Sequence, residues 1–431
     1  MSHDPKNSPP AKGEYPEGGR GLVPKLRFPK FREAAQWSIK PLKQICTVNP
    51  ATSELPEIFV YIDLESVEAG ELKEKKIINR EDSPSRAQRL LNYGDVIFQI
   101  VRPYQRNNFY FRINDDFKYV ASTGYAQLRA FESKDYLFQA IHTDNFVEKV
   151  IEKCTGSSYP AINSSDLAEV SIAIPKTAEQ QKIADCLASL DELITLEAQK
   201  LDTLKTHKKG LMQQLFPAEG ETVPKLRFPE FLDAREWCND SLGKIFETTA
   251  GGTPSRSIKE YWDGKIPWIT TSLVDFNVIY KSDEFISETG LENSSAKIFP
   301  KGTILIAMYG QGKTRGKVAI LGIEAATNQA CAVILPKKGI HPEFVFLNMG
   351  NRYEEMRELS NSGGQENLSQ GLIKELPFSF PQDITEQQKI ASCLASLDDL
   401  IIAQAQKLAT LKTHKKGLMQ QLFPALDEVQ A

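Results

Sequence analysis

The sequence predicts an α+β protein: two mixed α/β modules separated by two long antiparallel coiled-coil helices, related by a pseudo-twofold axis. Three observations predict it. A helical segment occurs twice almost unchanged, at an offset of 207 (386 minus 179): Glu179-Gln180-Gln181-Lys182-Ile183-Ala184 and the run from Leu204 to Pro217 return as Glu386-Gln387-Gln388-Lys389-Ile390-Ala391 and the run from Leu411 to Pro424. A second repeat, Val23-Pro24-Lys25-Leu26-Arg27-Phe28-Pro29, returns as Val223-Pro224-Lys225-Leu226-Arg227-Phe228-Pro229 and continues through Trp37/Trp237, Leu42/Leu242 and Ile45/Ile245, an offset of 200 (223 minus 23). Between these repeats the two long segments differ. One scaffold element is therefore used twice to hold two unlike modules.

In chain order, residues 1–20 are rich in Pro, Gly, Lys and Asp and read as a disordered amino-terminal tail. Residues 21–176 and 218–383 carry short apolar and β-branched runs separated by Gly, Asn and Asp, giving mixed modules of about 150 residues, a size at which one core suffices. Gly94-Asp95-Val96-Ile97 is echoed by Gly302-Thr303-Ile304-Leu305, and Ala121 to Ala126 by Ala326 to Ala332, so the same strands are expected in both. Each module ends on a short run closed by Pro175 or Pro381.

The two helices are expected over 177–217 and 384–424, with a carboxyl-terminal tail at 425–431. Apolar residues step by four and three along a coiled-coil seam: Ile183, Leu187, Leu190, Ile194, Leu201 and Leu204, then Ile390, Leu394, Leu397, Ile401, Leu408 and Leu411. Both copies break the rhythm at the same places, Glu197/Gln404 and Lys208/Lys415, so each offers the other a matching surface. Thr177 with Gln180, and Thr385 with Gln388, read as capping boxes. Gly210 and Gly417 each cost about 1 kcal/mol inside a helix, which predicts bending or fraying near the ends. At 1.5 Å per residue, a helix from Thr177 to Phe216 spans roughly 60 Å, more than one small domain, which favours a paired spacer over two helices buried in separate cores. In an antiparallel arrangement the Val23 segment lies beside the end of the second helix, just as Val223 follows the first.

Composition narrows the function. No apolar amino-terminal stretch resembles a signal peptide and no run of about 18 apolar residues exists, so a cytoplasmic protein with no membrane partner is expected. The six cysteines form no C-x-x-C pair and read as buried thiols rather than zinc ligands or disulfides. The net charge of −4 argues against a uniformly basic nucleic-acid binder, although local density of Lys and Arg decides that question. Such density exists in loop contexts of both modules. Residue type and context select Lys73, Arg80, Arg86, Arg102, Tyr104, Arg106 and Tyr159 in the first, and Arg256, Tyr261, Trp262, Lys313, Arg315 and Gln365 in the second, as DNA-binding candidates. Arg bridges guanine edges, amides bridge adenine, and Lys and Arg hold phosphates; a solvated charged surface has the same composition.

Two catalytic patterns fail on context. The run from Ala307 to Thr314 fits a relaxed nucleotide-binding loop, but a strand pattern, Val318 to Leu321, follows it where a phosphate loop needs a helix. Asp63, Glu71 and Lys73 have the residue types of a nuclease metal site at a permissive spacing that the other module does not repeat. No catalytic residue or metal ligand is expected.

The Glu-Gln-Gln-Lys-Ile repeats, Gly251-Gly252-Thr253-Pro254-Ser255-Arg256, Ile266-Pro267-Trp268-Ile269 and Asn328-Gln329-Ala330 together resemble the specificity subunit of type I restriction-modification systems. The resemblance implies two target recognition domains, each reading one half of a split asymmetric DNA sequence, on an antiparallel coiled coil that fixes their spacing. It also implies two adenine-N6 methyltransferase subunits as partners, using S-adenosylmethionine, and ATP-dependent restriction subunits in the larger assembly. No cofactor is then expected on this chain; S-adenosylmethionine, ATP and Mg belong to the partners. The competing readings are a nucleotide-binding enzyme using the Ala307 to Thr314 loop and a protein-only scaffold.

Overall fold

The structure, a computed structural model, describes residues 22–424 apart from 53, 157, 219, 311, 312 and 362–366. The expected tails at 1–20 and 425–431 lie outside the described residues. The chain divides into one unit of residues up to Ala198 together with those from Lys407, and a second of Gln199–Gln406. Both long helices, Thr177–Leu215 and Ile384–Leu422, contribute to both units.

In the first unit one sheet has the order Lys76–Asn79, Ile58–Ile62, Tyr119–Ser122, Ala87–Leu90, and another has Cys46–Val48, Tyr125–Ala130, Val96–Gln99, Phe109–Tyr110. Among the described residues of these two sheets only Ile58–Ile62 and Tyr119–Ser122 pair in parallel, with Ala121 opposite Ile62. Alternation then divides the core. Ile97, Tyr125, Val60 and Tyr119 fill one cluster, while Val96, Phe98, Ala126 and Leu128 face helices Lys134–Ala140 and Asp144–Glu152 together with Ile183, Leu187 and Leu422 of the long helices. Ser133 and Thr143 start those two short helices by accepting from the N–H of Tyr136 and Phe146. Ser38–Pro41 closes the unit by pairing antiparallel with Ser171–Ile174.

The second unit repeats this strand order with one strand added, Asn277–Ile279, which pairs in parallel with Val318–Leu321. Thr248–Ala250, Cys331–Ile334, Ile304–Ala307, Val318–Leu321 and Asn277–Ile279 form one sheet, Glu284–Ile286, Trp262–Ile269, Ala325–Thr327 and Ile298–Phe299 the other, and Cys238–Ser241 pairs with Pro377–Phe380. The echoed sequences occupy equivalent strands: Val96–Gln99 and Ile304–Ala307 are both third in their sheets, and Trp262–Ile269 pairs in parallel with Ala325–Thr327. Gly251 and Gly252 are required here, because a Cβ would meet the Thr327 carbonyl oxygen at 2.1 Å or the Ser295 backbone at 2.3 Å.

Within the first unit, Asp191 meets Lys415 and Glu197 meets Lys407, each at 2.5 Å; within the second, Lys208 meets Asp398 at 2.5 Å. Rising numbers on one helix face falling numbers on the other, so the pairing is antiparallel. Three of the four breaks in the apolar rhythm, Glu197, Lys208 and Lys415, therefore hold ion pairs between helices. The seam is uneven: Ile183, Leu187, Ile390 and Leu394 sit wholly inside module cores, Leu408 is buried, and Leu190, Ile194, Leu201, Leu204, Leu397, Ile401 and Leu411 are half-buried.

The Val23 segment lies where antiparallel helices require. The Leu26 N–H donates to the Gln421 carbonyl at 2.9 Å, and in the second unit the Leu226 N–H donates to Gln214 at 2.9 Å. Next to it, the Arg27 guanidinium grips both oxygens of buried Glu179 at 2.7 Å and also caps the carbonyls of Ala34 and Ala35. Arg227 grips Glu386 in the same way. Some expectations need correction. The long helices do not fray at Gly210 and Gly417 but continue past them to Leu215 and Leu422. The capping boxes do not form: the Thr177 hydroxyl donates to Glu132 and the Gln180 amide to the Pro175 carbonyl. Asp383, not Thr385, starts the second helix, accepting from the Thr385 N–H and hydroxyl, and Gln387 rather than Gln388 matches Gln180 by donating to Pro381. All six cysteines are free, but only Cys46 and Cys331 are buried, where burial pushes their thiols up to about 12; the other four are half-buried.

Candidate nucleic-acid interface

In module one, strand Val96–Gln99 ends in a short helical turn, Pro103–Gln105, flanked by two residues in the left-handed region, Arg102 (φ 54°) and Arg106 (φ 56°). Non-glycine residues adopt this conformation at a cost, so the surroundings must hold it. They do so through amides. Gln99 donates to the Gln105 side chain, Asn108 accepts from the Gln99 N–H, and the Arg102 N–H donates to the Pro160 carbonyl. The last of these bonds draws Tyr159 and Pro160 alongside, and the Arg102 guanidinium stacks 4.3 Å from the Tyr159 ring. Tyr159 is 65% exposed and Tyr104 51%, so one turn presents a cation and two open aromatic rings.

Arg106 does not join them. It turns inward to Asp144 at 2.7 Å and to the His142 carbonyl at 3.2 Å. Burial opposes ionisation of Asp144, yet bonds from Arg106 and Gln420 hold its carboxyl below the usual range. Arg80 is taken up by Glu54 at 2.6 Å and the Leu55 carbonyl, and Lys73 stands 3.6 and 3.9 Å from Glu68 and Glu71. Arg86 is exposed just before strand Ala87–Leu90.

In module two, Arg256 lies over Trp262 at 3.7 Å and Trp268 at 5.0 Å and pairs with Glu284 at 2.5 Å. Trp262 donates to the Ser255 carbonyl and Tyr261 is half-buried, so this group is largely engaged within the module. Lys313 is exposed and Arg315 half-buried on the loop between the paired strands Ile304–Ala307 and Val318–Leu321. Gln365 lies outside the described residues. Residue type alone missed the support of that loop: the Tyr353 hydroxyl donates to the Lys313 carbonyl at 2.6 Å, receives Arg357 at 2.8 Å, and its ring meets Phe276 edge-on at 5.1 Å. Phe276 adopts φ 50°, and Tyr280 nearby in sequence is 69% exposed. Tyr353 lies 40 positions from Lys313, too far along the chain to be paired with it by spacing.

The segments that carry the two catalytic patterns are placed as follows. Lys313-Thr314 leads into a strand of a hairpin, so no helix terminus meets a phosphate. Asp63 is consumed locally, accepting from Glu65, Ser66 and Lys76, and among the described residues no group of His, Cys, Asp and Glu could hold a metal ion. No helix of the described residues is long and apolar enough to cross a membrane.

Comparison with known proteins fits this architecture. The family model for the type I restriction modification DNA specificity domain matches residues 35–206 and 234–413. The chain is 36% identical over 172 residues to the type I restriction enzyme MjaIX specificity subunit of Methanocaldococcus jannaschii, covering 39% of each. It is 29% identical over 170 residues to the EcoR124I/EcoR124II specificity subunit of Escherichia coli, covering 38% of this chain and 41% of that one. The chain thus spans well under half the length of these two relatives. A longer match, 22% identical over 398 residues, covers 85% of the HindI specificity subunit of Haemophilus influenzae and 77% of this chain. The type I restriction-modification S subunit from M. genitalium shares the fold at a TM-score of 0.56 and 16% identity, covering 94% of this chain and 99% of that one. The family model matches a repeated domain over both modules and both helices, and the chain belongs to the type I restriction modification DNA specificity family.

Proposed function

We propose that the chain is the DNA sequence-recognition subunit of a type I restriction-modification complex. Residues 21–176 and 218–383 are its target recognition domains, each reading one half of a bipartite asymmetric site. The helices at 177–217 and 384–424 set the distance between half-sites and dock two methyltransferase subunits. The chain itself performs no chemistry. Adenine methylation with S-adenosylmethionine, and ATP- and Mg-dependent restriction, belong to partner subunits in the same cytoplasmic complex. The observation that carries this reading is a shared pair of repeated helices serving two modules of like strand order and unlike surface loops. Direct DNA contact is assigned first to Arg102, Tyr104 and Tyr159, then to Arg86, Lys73 and the Lys313–Arg315 loop. Arg80, Arg106, Arg256, Tyr261 and Trp262 serve as supports.

Purified chain and its methyltransferase partner should together methylate adenines at one split sequence, and the chain alone should methylate nothing. Exchanging module two for that of a relative should change one half of that sequence and leave the other. An unaltered sequence after the exchange would instead establish a protein-only scaffold. ATP binding abolished by Lys313→Ala would establish the nucleotide-binding reading, which the hairpin context disfavours.

A further inference from the structure

We infer that a basic cleft in the first unit seats phosphates of the DNA backbone beside the sequence read by module one. The inference deepens the DNA-recognition reading and rests on it. The cleft, about 510 Å³, lies between the start of helix Asp144–Glu152 and the last turns of the second long helix. Five cations from three parts of the chain converge there: Lys25 from the Val23 repeat, Arg106 from the exposed turn, and Lys412, Lys415 and Lys416 from the second long helix. Among the described residues Asp144 is the single carboxylate lining it, shared by Arg106 at 2.7 Å, Gln420 at 3.2 Å and Lys416 at 3.7 Å. Lys415 is in addition bonded to Asp191 at 2.5 Å. A positive excess remains in a chain whose net charge is −4.

Cations near a helix carboxyl end are ordinary, because they suit its dipole. That accounts for the three lysines of the long helix. It accounts for neither Lys25 nor Arg106, which arrive from other elements. Arg106, itself paired with Asp144, ties the cleft to the exposed turn. It closes the turn that Arg102 opens, so the cleft wall is continuous with the proposed reading surface. Phosphate contacts made by Lys and Arg beside a reading surface fix register without carrying sequence information. Lysines suit that task as mobile point charges.

The test follows binding of the full-length chain to a labelled random-sequence duplex by fluorescence anisotropy across a salt series. In Lys25→Gln/Lys412→Gln/Lys416→Gln the slope of log K against log salt should fall by about 2 to 3, since each phosphate contact contributes about 0.9. The corresponding Lys→Arg triple should keep the parental slope. Thermal melting checks the fold; should the triple melt early, the exposed single change Lys412→Gln should still lower the slope by about 0.9. An unchanged slope in a folded variant that retains sequence preference removes the cleft from DNA binding and leaves the recognition function standing. An unchanged slope with lost retention of the methyltransferase subunit overturns the inference in favour of an acidic protein partner. A parental chain that binds no duplex, alone or with that subunit, overturns the recognition reading itself.

Discussion

His142 shows how one side chain ties a reading turn to the core. Its Nδ1–H donates to the Phe138 carbonyl at 2.6 Å, which leaves Nε2 to accept from the Asn108 amide at 3.2 Å. Asn108 in turn holds Gln99 at the base of the turn. Burial, reinforced by Lys415 and Arg106, lowers the ring from 6.5 to about 4. The unfolded chain therefore takes up this proton as pH falls below 6.5 while the folded one resists until about 4. Stability present above 6.5 is lost across that window, by about 2 kcal/mol at pH 5. Urea unfolding at pH 7 and pH 5 should show that loss in the parent and a smaller one in His142→Gln; equal losses would exclude the residue as the cause. At this scale legibility was partial. Arg102 and Tyr104 could be placed on one loop from composition because they lie in one short run; the stacking of Arg102 on Tyr159, far along the chain, could not be read that way. The inward turn of Arg106 could not, since Asp144 lies 38 positions away, nor could the capture of Arg256 by Glu284.

The long helices were the most legible elements, because a spacing of threes and fours over eleven turns leaves little ambiguity. Their ends were misread. Thr and Gln at the right interval suggested capping boxes, whereas the Gln side chains reach back to Pro175 and Pro381 and the first-turn glutamates bind arginines from another segment. A glutamate near a helix start usually faces water and the dipole; only the three-dimensional return of Arg27 and Arg227 explains why Glu179 and Glu386 are buried. Glu179→Ala should destabilise the first unit by about 3 to 5 kcal/mol, because it leaves the Arg27 charge enclosed and unpaired. Chemical denaturation checks the value, and a loss below 1 kcal/mol would mean that the pair contributes nothing particular. Gly210→Ala and Gly417→Ala act oppositely. A methyl group enters open space at both, so each should raise stability by about 1 kcal/mol.

For the whole molecule, two repeats read against each other disclosed the plan: two modules of like strand order on helices used in common. What the sequence withheld was how far the helix ends penetrate the module cores, since Ile183 and Leu422 look like any other seam residue. Interhelical ion pairs at Glu197–Lys407 and Lys208–Asp398 bracket the middle of the pairing. Adding four residues, about one turn, between Ala198 and Leu201 and again between Ile401 and Gln406, inside both bridges, should preserve both pairs. Methylated-adenine mapping should then return both half-sites unchanged with a longer gap, and an unaltered gap would show that the helices do not set it. The docking of Leu26 on Gln421, with Leu422 and Phe423 packed beside Trp37, also has a consequence during synthesis. The ribosome makes module one before Gln199–Gln406, yet the residues that seal it, Gln421 to Phe423, follow that segment. The nascent chain therefore carries an open apolar seat while the second unit is made.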